Sequence, residues 1–384
     1  MDFSRVELSD DDAAFQRDLR AFLAKIVTDE VIERDRVTGE NFDEAVHLAL
    51  GAAGYLAADY RSEDDGGFTP VRRRIWQLEL GRSRAPWFHS GTTFMAARTV
   101  EAFADSDLRE QVLPGVLTGE IRICLGYTEP EGGSDVATCK TRAVRDGDEW
   151  IINGAKMFTS NAQNARYVFL LTNTDPSAPK HRSLTMFLVP LDTDGVEIQP
   201  IRTVDGDRTN IVYYSDVRVP DSYRIGGVND GWTVMRHALD AEHGVVEADS
   251  AGLQKIAVMS EHATLLAEAL DATAAVVDVD DDSIAYRLGR DTARTEAALS
   301  TPDMYGRVAN ATALREVAPD LMELLGATAV LPTGTPGAAD DGRSEYVFRL
   351  AGPMGIYGGT LEVFRNMIAQ HALGLPRPTY TGRS

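Results

Sequence analysis

Apolar positions recur at helical spacing from Asp10 to roughly Thr118. In DDAAFQRDLRAFLAKIV, Phe15, Leu19, Phe22, Leu23 and Ile26 share one face, and the leading aspartates suit a helix N-terminus. FDEAVHLALGAAGYLA repeats the pattern, SEDDGGFT punctuates it as a loop, and RRRIWQLELGRS and TTFMAARTVEAFA continue it as helices. The period changes near Ile121. RAVRDGDEWIING places an Asp-Gly turn between short extended runs, a hairpin signal. RYVFLLTNT, SLTMFLVPLD, VEIQPI and NIVYYSDVRVP follow as strands separated by Gly, Pro and Asp, a spacing that suggests a small barrel or sandwich.

Helical spacing returns at Gly231. The stretch from GWTVMRHALDAEH to ATLLAEAL is one long helix or two abutting ones, and VVDVDDDS is a charged break. That acidic run lacks the ligand pattern of a calcium loop and is expected to be solvated. VANATALREVAPDLMELLG is another helix, with Pro319 expected to kink it. LPTGTPGAADDGRS is a loop by composition, and TLEVFRNMIAQHALGL is a last helix closed by Gly374 and Pro376. No internal repeat interrupts the order of helices, strands, helices. The expected class is α+β, with a helical part over 1–119, a strand-rich part over 120–228 and a second helical part over 229–384.

Charge changes the picture by exclusion. With 59 acidic and 38 basic side chains the formal charge is -21, which argues against a nucleic-acid or anionic-membrane surface. An anionic ligand stays open, because backbone N–H groups and a few cations suffice to hold one. No uncharged apolar run approaches the roughly 18–20 residues that span a bilayer, and Met1–Leu23 lacks the apolar core of a secretory signal. Cys124 and Cys139 lack a metal-ligand pattern and are expected to be reduced packing residues of a cytoplasmic protein.

The chemistry gathers in two places. Where helices give way to strands, YTEPEGGSD (Tyr127 to Asp135) combines glycines that permit close backbone approach with the hydroxyls of Thr128 and Ser134. WIINGAKMFTSNAQNARYVFLL follows shortly. Near the C-terminus stands IYGGTLEVFRN, Ile356 to Asn366. Together TEPEGGSD, INGAK, FTSN, YYSDVRVP, YGGTLEVFRNMIAQHALGLPR and the earlier DDGGF resemble the acyl-CoA dehydrogenases, and the resemblance runs through most of the chain.

That resemblance implies a helical N-terminal domain, a small middle β-barrel and a C-terminal helical bundle, with FAD as cofactor and an acyl-CoA thioester as substrate. It implies that Tyr127, Thr128, Gly133 and Ser134 line the flavin and its phosphates. Phe158 takes the place of a family Trp beside the flavin ring. Thr159 adjoins it, Ser160 stands where a Thr usually bonds the flavin, and Thr360 and Glu362 complete the cofactor set. Ser134, Asp240, His243 and Gly358 are the implied substrate contacts. The implied reaction is α,β-dehydrogenation to the trans-2-enoyl-CoA: a base takes the α-proton while hydride leaves Cβ for flavin N5. The site must also stabilise an enolate-like oxygen.

Two departures from the family pattern carry information. Many members place the catalytic glutamate at the second residue of the terminal Y-x-G-T turn, where this chain has Gly358. The long-chain and isovaleryl-CoA dehydrogenases also lack it there and take their base from a pattern like L-D-x-E-R. This chain has LDAEH, so Glu242 matches the base, and His243 replaces the adjacent Arg. The backbone N–H of Gly358 could still donate to the thioester carbonyl. Secondly, the Arg that reaches a neighbour's FAD pyrophosphate in family homo-oligomers is missing from AEALDATAAVVDVDDDS, and Glu323 replaces a neutral Gln in ELLGATA. Either Arg287, Arg290 or Arg294 substitutes from a shifted place in a homotetramer, or the site is completed by a related, unlike subunit. The latter is the arrangement of some actinobacterial heterotetrameric dehydrogenases that act on steroid side-chain CoA thioesters. The expected electron acceptor is an electron-transfer flavoprotein. The rival readings are a flavin monooxygenase on the same fold and a non-catalytic partner subunit, against which the intact TEPEGGSD and FTSN motifs stand.

Overall fold

The computed structural model describes residues 7–86, 90–242 and 260–376. They fall into two compact units that divide after Glu242.

The first unit begins with helices α1 (Asp10–Ile26), α2 (Asp29–Thr38), α3 (Glu44–Ala52), α4 (Tyr55–Tyr60), α5 (Pro70–Ser83), α6 (Ser90–Phe103) and α7 (Ser106–Thr118). The starts are written in the sequence: Ser9, Thr28, Asp43 and Thr69 each accept a backbone N–H of the first turn. Leu19 and Leu23 of α1 are buried as the spacing predicts, while Phe15, Phe22 and Ile26 are partly buried against the same core.

Strands follow: β1 (Ile123–Gly126), β2 (Arg142–Asp146), β3 (Glu149–Met157), β4 (Tyr167–Asn173), β5 (Leu184–Pro190), β6 (Val196–Arg202), β7 (Arg208–Pro220) and β8 (Arg224–Ile225). They form one sheet of order β6-β7-β3-β2-β4-β5-β8, with β1 added parallel to β4. The β2–β3 hairpin closes through Gly147 at φ 64°, as the Asp-Gly signal predicts. Strands β4 and β5 are apolar without alternation because both faces are covered. Tyr167, Phe169, Leu171, Leu184, Met186 and Leu188 pack with the helices, while Val168, Leu170, Phe187 and Val189 join Trp150, Ile152, Val212 and Val217 on the other side. Helix α8 (Gly231–Glu242) packs Val234, Met235 and Ala238 into the helix-side core.

Two glycines are forced. Gly154 of INGAK lies at a β3–β7 register shift, where an added Cβ would sit 2.7 Å from the Thr141 Cα. Gly39 caps α2 at φ 59°, and a Cβ there would meet the Gly206 carbonyl oxygen at 2.2 Å. This contact seats the α2–α3 corner on the β6–β7 turn.

The second unit contains α9 (Ser260–Ala274), α10 (Asp282–Leu299), α11 (Asp303–Leu325), α12 (Arg343–Met354) and α13 (Leu361–Met367). Leu266, Leu270, Leu314, Val317, Leu321, Val347 and Met354 make its core. The acidic run 278–282 serves as a loop and cap, with Asp281 accepting from the N–H groups of Ser283 and Ile284. Helix α11 runs through Pro319 without a break. Helix α12 is absent from the sequence reading, because its apolar period is short and hemmed in by Gly, Pro and Asp. Among the described residues no helix is long and apolar enough to cross a membrane.

Gly39→Ala should lower unfolding free energy by about 2 kcal/mol or more, since it adds both left-handed strain and a backbone clash. Urea denaturation checks this, and a wild-type midpoint would contradict the close packing of the α2–α3 corner.

Candidate active site

The loop after β1 is fixed at its base by a charge pair inside the protein. Glu129 and Gly132 exchange backbone hydrogen bonds of 3.1 Å, which turns the Glu129 carboxylate inward. That carboxylate accepts the N–H of Lys140 at 2.7 Å and of Thr141 at 2.8 Å. It also accepts Lys156 Nζ at 2.8 Å and the Cys139 thiol at 3.2 Å. The Lys156 side chain has no exposed surface, and its Nζ also donates to the Tyr127 carbonyl at 3.2 Å. Burial pushes the Glu129 carboxyl upward, but the Lys156 charge and the Lys156 and Thr141 hydrogen bonds outweigh it and hold the group at about 2. Burial pushes the Cys139 thiol up to about 11, so it is a packing residue, and Cys124 is likewise free and buried.

One residue beyond this pair, the Met157 N–H donates to the Thr128 carbonyl at 2.8 Å. Thr128 and the Phe158–Ser160 segment are thereby adjacent. Phe158 has φ 59° and is 54% exposed, an uncommon state for a large apolar residue. The segment is backed by β7. Thr159 N–H donates to the Asn210 carbonyl at 2.9 Å, Asn210 Nδ2 returns a bond to the Thr159 carbonyl at 3.0 Å, and Ser160 Oγ donates to Thr209 Oγ1 at 3.0 Å. Thr159 Oγ1 is buried with no partner among the described residues. Gly133 and Ser134 lie on the exposed part of the loop. An exposed aromatic face, neighbouring hydroxyls and an unmet buried oxygen suit a flat cofactor with a polar edge.

In the second unit, α12 leads into a turn in which Gly358 has φ 60° and Gly359 has φ 93°. Arg307 of α11 donates to the carbonyls of Tyr357 at 2.8 Å and Gly359 at 3.2 Å. Tyr357 Oη lies 2.9 Å from His262 Nε2. Thr360 caps α13 by accepting the Val363 N–H, and Glu362 is exposed beside Arg365. Gly358, Thr360 and Glu362 are therefore gathered on one turn. Glu242 closes α8, but its side chain, that of Asp240 and all of His243 lie outside the described residues.

The three candidate replacement arginines are engaged within their own unit. Arg287 pairs with Asp320 at 2.7 Å and Glu323 at 3.0 Å. Arg290 pairs with Asp291 and Asp320, both at 2.8 Å, and Arg294 lies 3.6 Å from Glu316. The sequence reading missed Glu129, Lys156, Asn210 and Arg307 as organising residues. For Lys156 a signal existed: a lone lysine closing the uncharged run that follows Glu149 in β3.

Family models for the acyl-CoA dehydrogenase N-terminal domain and middle domain match residues 9–120 and 124–217, more than half the chain. The chain belongs to the acyl-CoA dehydrogenase family. Acyl-CoA dehydrogenase FadE26 of Mycobacterium tuberculosis is 31% identical, over 97% of this chain and 99% of that protein. Among solved structures, the ChsE4-ChsE5 complex of Mycobacterium tuberculosis matches with a TM-score of 0.81 and 29% identity, covering 98% of this chain and 100% of that one. The Tcur3481-Tcur3483 steroid ACAD matches at 0.80 and 28%, with the same coverage. This acyl-CoA dehydrogenase is accordingly an FAD-dependent oxidoreductase, and the Phe158–Ser160 surroundings fit that cofactor.

Removing one member of the buried pair should cost more than removing both. Lys156→Met is expected to destabilise by about 3–5 kcal/mol, with the double variant Glu129→Gln/Lys156→Met closer to wild type. Glu129 titrates below its ordinary 4.5, so its contribution is present above that pH and fades as pH falls toward about 2. Acid titration of stability should lose this component in the double variant. Equal losses for single and double variants would contradict the pairing.

Proposed function

We propose that this dehydrogenase oxidises an acyl-CoA thioester to the trans-2-enoyl-CoA with Glu242 as the α-proton base. The observation that carries the assignment is the glycine at position 358. The turn that bears the glutamate in many relatives has no side chain here, and its backbone is left-handed. A carboxylate placed from another element serves equally, since proton transfer depends on position at the α-carbon rather than on chain order. The Gly358 N–H donates to the thioester carbonyl and stabilises the charge that develops there. Asp240 and His243 border the substrate beside the base.

Thr128, Ser134 and Ser160 supply hydroxyls to the cofactor, Phe158 supplies an apolar face, and Tyr127, Gly133, Thr159, Thr360 and Glu362 complete its surroundings. When bound, FAD supplies the two-electron acceptor for the hydrogen leaving Cβ. An electron-transfer flavoprotein is the kind of partner that would reoxidise it.

We further propose that the working assembly pairs this chain with a related, unlike subunit in a heterotetramer that acts on a bulky, steroid side-chain CoA thioester. Two observations support this. Arg287, Arg290 and Arg294 are occupied by carboxylates, which leaves them poorly suited to a neighbour's pyrophosphate. The structural relatives near 0.8 in TM-score include a two-component complex and a steroid ACAD.

Two outcomes follow. Expressed alone, the chain should hold little FAD, and co-expression with an acyl-CoA dehydrogenase-like partner should restore one FAD per unlike pair, read by absorbance and native mass. A fully flavinylated, active homotetramer would sink the heteromeric reading. In the active assembly, Glu242→Gln should lower kcat/KM by about a hundredfold or more with FAD content unchanged. Near-wild-type turnover would remove Glu242 from the mechanism.

A further inference from the structure

The Phe158–Ser160 segment is braced from a distant part of the chain. Glu40 sits at the α2–α3 corner, partly buried. Its carboxylate accepts Gln163 Nε2, Asn164 Nδ2 at 2.8 Å and Arg208 Nη1 at 2.9 Å. Its backbone carbonyl accepts Asn161 Nδ2 at 3.1 Å. Asn161, Gln163 and Asn164 are the residues that leave the Phe158–Ser160 segment, and Asn161 is itself left-handed at φ 64°. The bracing closes on itself. Asn210 Nδ2, which holds the Thr159 carbonyl, also donates to Gln163 Oε1 at 2.7 Å. The Arg208 N–H donates to the Gly39 carbonyl at 2.7 Å.

The corner itself is fixed. Gly39 lies against Gly206, and Arg202 donates to the Thr38 carbonyl. One carboxylate thus accepts from two side-chain amides and a guanidinium, all partly buried. Burial disfavours the charge on Glu40, but the Gln163 and Asn164 amides and Arg208 outweigh it, so the group stays anionic and its hydrogen bonds are charge-assisted.

We infer that Glu40 is a positioning residue for the flavin: it acts through Asn161, Gln163 and Asn164 to hold Phe158 and Ser160 in the conformation that receives the isoalloxazine. This rests on the assignment of Phe158–Ser160 to FAD. Glu40 itself touches no reacting atom. Its removal frees the segment to relax from its two left-handed residues, Phe158 and Asn161, so that the cofactor meets an ensemble rather than a prepared surface.

The test compares Glu40→Ala, Glu40→Gln and Phe158→Ala in the assembled, flavin-loaded protein. FAD dissociation is measured by fluorescence on dilution, and the visible flavin spectrum is recorded alongside. Glu40→Ala should raise the FAD dissociation constant about tenfold or more, with an altered flavin spectrum, while Glu40→Gln, which keeps an acceptor, should recover part of both. Asn164→Ala should weaken FAD binding in the same sense, and the Glu40→Ala/Asn164→Ala pair should be less than additive. The exposed Glu33→Gln, whose partner Arg36 lies on the same helix, is the control expected to change neither reading. If Phe158→Ala alters the spectrum and Glu40→Ala leaves both readings unchanged, the positioning role is wrong. If Phe158→Ala itself changes nothing, the flavin assignment of the segment fails instead. Loss of FAD in Glu40→Ala that tracks only a fall in melting temperature, with a wild-type spectrum in the loaded fraction, would reduce Glu40 to a purely structural residue and overturn the inference.

Discussion

A lysine without water beside it must have an anion. Lys156 sits wholly inside the sheet, and Glu129 is the group that makes its charge tolerable. Because Glu129 belongs to the loop after β1 and Lys156 to the end of β3, matching the charges also sets the loop against the strand. The Tyr127 carbonyl and the Lys140 and Thr141 N–H groups are drawn into the same pair. The exposed, glycine-bearing tip of TEPEGGSD thereby gains a defined base, and Phe158 emerges from the strand at a fixed place.

The second unit solves a similar problem through backbone carbonyls. Arg307, fully buried, points at two carbonyl oxygens of the YGGT turn and holds a pair of glycines in left-handed conformations. In both units a buried cation fixes a turn through backbone oxygens. The arginines of α10 are used differently. They neutralise Asp291, Glu316, Asp320 and Glu323 along two packed helices, so charge that could have faced outward is consumed internally.

Periodicity made the helices of the first unit and the apolar strands β4 and β5 legible, since burial on one stripe or on two faces leaves a direct trace in residue type. The motifs were legible too, because glycines and hydroxyls at a ligand are hard to replace. Helix α12 was obscured by its flanking Gly, Pro and Asp, whereas α11 was legible across Pro319 because its packed apolar face outweighs the one missing N–H. Glu40 left no trace in the pattern. It lies more than a hundred residues from Gln163 and Asn164, and an isolated glutamate near a helix end looks like any solvated acid. Long-range polar bracing of that kind is a property of the folded chain.

The backbone at Gly358 bears on how freely a family can shift its base between elements. The glycine codons GGA and GGG stand a single base from glutamate codons, so mutation alone could place an acid in this turn. The left-handed dihedral resists it: a side chain with a Cβ would carry a strain of about 1–3 kcal/mol there unless the turn itself rearranged. Placing a side chain at 358 without strain would then require coordinated change in Arg307 and its carbonyl partners as well as at the codon. The conformation thus works as a filter, holding the position to glycine unless the turn rearranges with it.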